Sequence, residues 1–142
     1  MIESGPGILA LALLVFAGST ARADTVLEAW TASDRLLIAF ANGLDYLFGA
    51  LLFGTLAIGC AWVGPQMRSS LSQAAPYLIW LATLAVVLDV PENAAYLVMV
   101  HGDTGSPWPQ LALASSIPRF MIFFLCGAFV IGGVSARRRA GG

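Results

Sequence analysis

The sequence predicts an all-α integral membrane protein: a bundle of four transmembrane helices, or three if residues 1–23 are a cleaved signal. Composition is the first observation behind this. Of 142 residues, 58% are hydrophobic and only 11% are charged, with mean hydropathy +0.82. A soluble domain carries about 25% charged residues, so this chain is too short of charge to cover a water-facing surface. The second observation is four apolar stretches, at roughly 5–23, 36–63, 76–100 and 111–135. A bilayer core of ~30 Å takes about 20 residues of helix at 1.5 Å each. The third is that these runs are uninterrupted, and a membrane span must satisfy its backbone groups within the segment, as a helix does.

The first stretch, GILALALLVFAG followed by Ala21-Arg22-Ala23, has the apolar length and the A-x-A ending of a secretory signal. MIESGPG supplies no Lys or Arg ahead of it, which favours a retained helix. The chain therefore divides into 1–23, a first membrane helix or signal peptide, and 24–142, a helical membrane domain. DTVLEAWTASDR then reads either as a short amphipathic segment on the outer surface or as a solvated linker. Pro76 suits the first turn of the helix over 76–100, where a missing N–H costs nothing. Gly49, Gly54, Gly59, Gly127, Gly132 and Gly133 suit close helix contacts. No internal repeat or second domain is evident.

Direction follows from the arginines, which supply all seven cations. Arg137, Arg138 and Arg139 mark the C-terminal tail as cytoplasmic, and Arg68 marks the middle loop likewise. The predicted location is the bacterial inner membrane, multi-pass, with both termini inside. Trp62, Tyr77 and Trp80 fall near the inner interface, Trp30 and Trp108 near the outer one, where amphipathic rings settle. Three clustered arginines are too few for a nucleic-acid surface. The expected partners are the lipid bilayer and a homo-oligomer or larger membrane complex.

Within VVLDVPENAAYLVMV, Asp89, Glu92, Asn93 and Tyr96 are spaced i, i+3, i+4 and i+7 and share one helical face. Pro91 sits among them, removes a backbone donor and frees the carbonyl of residue 87. Counting helix rise, Asp45 on the second stretch, Glu92 on the third and Arg119 on the fourth all fall ~12–14 Å below the outer surface. Asn42 lies a turn from Asp45, and Asp89 a turn deeper than Glu92. A charge at the bilayer centre costs ~2.5–3.5 kcal/mol, so these residues are predicted to face inward and pair, with Arg119 bridging carboxylates through its planar fork. Asp45, Asp89 and Glu92 outnumber Arg119, so a bound proton or small cation is expected at a site of Asn42, Asp45, Asp89, Glu92, Asn93, Tyr96 and Arg119.

Arg35, Asp45 and Phe48 in DRLLIAFANGLDYLF, then D-x-x-E-N, then a lone cation in the last helix resemble uncharacterised small bacterial four-helix membrane proteins. The resemblance covers about residues 34–125 and implies the fold and the helix count, with no mechanism. Glutathione-transferase-like membrane proteins also carry an E-N pair, but the Arg and His that precede it there are missing from LAVVLDVPEN.

Other residues carry less. Cys60 and Cys126 lie in apolar runs without a second ligand at metal spacing, so they read as small hydrophobes. His101 with Asp103 is at most half of a metal site or proton relay, and no metal or cofactor is predicted. Ser115 and Ser116 have no histidine in sequence reach, and no catalytic residue is assigned. Three functions remain open: a proton or small-cation carrier, an accessory subunit of a larger membrane assembly, and a membrane enzyme acting on a lipid or isoprenoid. An enzyme is the less favoured of these.

Overall fold

The computed structural model describes residues 14, 16–67 and 69–140. Among them there is no strand: the chain forms α1 (Thr20–Glu28), α2 (Ala32–Val63), a 3-10 turn (Gly64–Gln66), α3 (Ser69–Ser72), α4 (Ala75–Val100) and α5 (Trp108–Ala140). Among the described residues three helices are long and apolar enough to cross a membrane, over Ala32–Gln66, Ser70–Val100 and Trp108–Arg137. Most of the first apolar stretch lies outside the described residues. Its described end does not run on as helix to residue 23. The chain turns at Gly18 (φ +62°) and α1 starts afresh at Thr20. The positive φ favours glycine at Gly18, and a Cβ there would also press on the movable Leu113 Cδ2 at 2.7 Å.

Polar sequence extends the long helices beyond their apolar runs. α2 begins at Ala32 instead of 36 because TASD is a capping box. Thr31 N and Oγ1 donate to Asp34 Oδ2 at 2.9 and 2.7 Å, and Asp34 N donates back to Thr31 Oγ1 at 3.2 Å. The segment before it is helical over Thr20–Glu28, with Ala23 and Leu27 buried. Pro65 falls at the start of the 3-10 turn that ends α2, and Gly102 (φ +108°) follows the end of α4 in the left-handed conformation common after helices. α4 and α5 continue through Pro91 and Pro118.

The chain forms two compact units. The described residues up to Leu47, with Leu88–Ile117, make the first; Phe48–Val87, with those from Pro118 onward, make the second. The first packs Leu27, Trp30, Ile38, Tyr96, Met99 and Ala112 into one apolar cluster, with Trp108 and Leu111 against it. The second packs Phe53, Cys60, Ala82, Ala85, Ile122 and Cys126. Its helices approach closely through glycine: a Cβ on Gly133 would sit 2.5 Å from Val63 Cβ, and one on Gly59 would sit 2.9 Å from Val130 Cγ2. Gly54 and Gly127 face open space instead. Arg137 lies over the Trp62 ring, 5.2 Å from its centroid, a cation–π contact at the far end of this unit.

Candidate functional site: a buried polar face in the first unit

α4 carries the site because its polar residues recur at helical spacing. Asp89 (2% exposed), Glu92 (5%), Asn93 (0%) and Tyr96 (4%) are all buried, whereas Val87 (60%) and Val90 (55%) on the other side are open. The helix therefore turns its acids and amide inward and its valines outward, the orientation lipid would favour. Asn42 on α2 is buried too, and its Nδ2 donates to Asn93 O at 3.0 Å. Tyr46, one turn further along α2, donates its hydroxyl to Val90 O at 3.4 Å. These two bonds tie α2 to the α4 backbone on either side of Pro91.

Tyr46 escaped the sequence reading. Its position four residues after Asn42 was the available signal, since i and i+4 share a face. Asp45, between them in sequence, is half-buried in the same unit. Arg119 belongs to the second unit, where its guanidinium lies 5.7 Å from the centroid of the Phe53 ring. Asp89, Glu92, Tyr96 and Arg119 each have an interaction partner in the folded chain.

Asn93 is different. Its main-chain carbonyl accepts from Asn42, but its side-chain Oδ1 and Nδ2 are both buried with no hydrogen-bond partner among the described residues. A buried amide left without partners costs about 1–3 kcal/mol, and native structures hold few such groups. The face therefore offers two carboxyls, a phenol and an amide with one donor and one acceptor side uncommitted. Such a set can hold a proton, a small cation or a small hydrogen-bonding molecule.

The remaining candidates have structural employment. Ser115 and Ser116 are buried in the first unit, and Ser116 Oγ donates to Ala112 O at 2.7 Å, the back-bond a helical serine ordinarily makes. His101 is exposed, with Nδ1 2.6 Å from Leu97 O. Asp103 organises its own loop, accepting from Gly105 N at 3.0 Å and from Trp108 Nε1 at 3.1 Å. Among the described residues no three His, Cys, Asp or Glu side chains are grouped to hold a metal ion. Cys60 and Cys126 are buried free thiols, and Cys126 Sγ donates to Leu78 O at 3.6 Å. Comparisons with protein-family models, with curated proteins and with solved structures found no match to this chain.

Proposed function

We propose that this is a polytopic protein of the bacterial inner membrane that binds or moves a proton or a small cation at the buried face of α4. The observation that carries this reading is the uncommitted amide of Asn93, fully buried beside Asp89 and Glu92. Charge supports it. Away from the ends of the three spans lie Asp45, Asp89, Glu92 and Arg119, so by count three carboxyls stand against a single guanidinium. Even with Arg119 counted in full, ionised acids at that depth would leave two negative charges uncompensated. Low dielectric makes that state costly, and a bound proton or cation relieves it. Arg68 and the Arg137–Arg139 cluster put the C-terminus in the cytoplasm under the positive-inside rule. The resemblance to small bacterial four-helix membrane proteins is part of the same proposal.

The test is uptake of protons, sodium and potassium by liposomes carrying wild type, Asp89→Asn or Glu92→Gln at equal protein density. Wild type should carry one of these ions, and both variants should lose the flux while keeping their helix content. Unchanged flux in both variants would sink the reading. A native mass of the detergent-extracted protein separates it from its main rival. A stoichiometric protein partner would make the chain an accessory subunit and the acids a matter of packing.

A further inference from the structure

The first unit has a second polar feature, independent of the α4 face. A cavity of about 110 Å³ opens among Asp24, Leu27 and Glu28 of α1, Arg35 of α2, and Gly102 and Thr104 of the loop after α4. Its walls are held. Thr104 Oγ1 donates to Asp24 Oδ1, which joins the loop to α1. Arg35 Nη2 donates to Leu27 O at 2.9 Å, which fixes the guanidinium at the C-terminal end of α1. One of five guanidinium donors is used in that bond, so most of the fork remains available.

We propose that this cavity binds a primary ammonium joined to a phosphate, the chemistry of an aminophospholipid headgroup. Two carboxylates and one guanidinium present both signs of charge within a single small space. A bare cation would meet Arg35 and a bare anion would meet Asp24 and Glu28, while a zwitterion satisfies all three. The ammonium, with three donors and no acceptor, goes to Asp24 and Glu28, and the phosphate goes to the Arg35 fork. The space, about 110 Å³ and open on one side, admits an ammonium on a two-carbon stem. Position agrees: α2 starts at Ala32, α4 ends at Val100 and α5 starts at Trp108, so the cavity lies where the apolar spans of this unit end and headgroups begin.

Native mass spectrometry of the full chain in mild detergent tests this, with phosphatidylethanolamine, phosphatidylglycerol or free phosphoethanolamine added at matched concentration. Wild type should retain phosphatidylethanolamine over phosphatidylglycerol, which has the phosphate and lacks the amine. Arg35→Gln and Glu28→Gln should each weaken retention about tenfold, as expected for loss of a charge-assisted bond. Glu28 is exposed on α1 and makes no described hydrogen bond, so its variant keeps the fold intact even if Arg35→Gln does not. Retention of free phosphoethanolamine without the lipid would assign the same site to a soluble ligand. Equal retention of both lipids, retention of neither amine, or wild-type binding by Glu28→Gln would overturn the proposal. Asp89→Asn should leave this binding unchanged, so the cavity and the α4 face stand or fall separately.

Discussion

The two units of this chain solve the same problem with opposite materials. Every buried polar or charged side chain among the described residues (Asn42, Asp89, Glu92, Asn93, Ser115 and Ser116) belongs to the first unit. The second is filled by Phe53, Ala82, Ala85, Ile122 and two thiols, with glycines that let helices approach closely. Lipid tails are as apolar as leucine, so burying apolar side chains does little to hold membrane helices together; close packing and interhelical hydrogen bonds do that work. The second unit relies on the former. The first uses the latter, yet leaves one amide without a hydrogen-bond partner among the described residues, which packing alone would not select. The contrast teaches that the polar residues of the first unit are not a general requirement of this architecture.

That contrast can be broken most sharply at Gly133. Its would-be Cβ meets Val63 Cβ, an atom no rotamer change can move. Gly133→Ala should therefore destabilise by about 1–3 kcal/mol, the usual cost of overpacking. Gly127→Ala, which points into open space, should gain up to about 1 kcal/mol from reduced chain entropy. Reversible unfolding in mixed micelles, followed by far-ultraviolet circular dichroism, measures both. Equal effects would mean that close approach does not hold the second unit.

A second comparison sharpens the first unit. Asn93→Leu removes the uncommitted amide and should raise stability by about 1–2 kcal/mol while abolishing any ion response. A destabilised variant would show that the amide serves the fold, and the two units would differ less than their compositions suggest. Smaller still are the ties between α2 and α4. Asn42→Leu should cost about 0.6–1 kcal/mol, the range of a single interhelical bond in a membrane. Tyr46→Phe should cost a few tenths, because 3.4 Å is at the long limit for a hydroxyl donor. A Tyr46→Phe loss larger than that of Asn42→Leu would reverse their assigned weight.

Much of this was legible in the sequence, for reasons that particular residues make plain. The inward face of α4 follows from i, i+3, i+4 and i+7 spacing, which a helix cannot scramble. The three long apolar helices follow from composition. The start of α2 was misplaced by four residues because an apolar count is blind to Thr31 and Asp34, whose bonds begin the helix in polar sequence. The turn at Gly18 was hidden inside an apolar run, since a positive φ leaves no trace in hydropathy. Counting rise along separate helices put Arg119 level with Asp45 and Glu92; Arg119 lies in the second compact unit and has an interaction partner in the folded chain. The cavity at Arg35 was beyond reach because its charges, close together at Asp24, Glu28 and Arg35, form a walled space only when the loop with Gly102 and Thr104 folds against them.

One feature of the backbone bears on mechanics. Pro91 and Pro118 lie within four residues of the points where α4 and α5 pass from one unit to the other. Each deletes a rung of its helical ladder, at the carbonyls of Val87 and Ala114, while α2 makes the same passage with no proline at all. Bending stiffness is thus uneven along the chain: α2 is a continuous rod, and α4 and α5 are rods with a soft joint. The joint in α4 falls between Asp89 and Glu92. Flexing there would change the separation of the two carboxyls, and with it their grip on whatever lies between them.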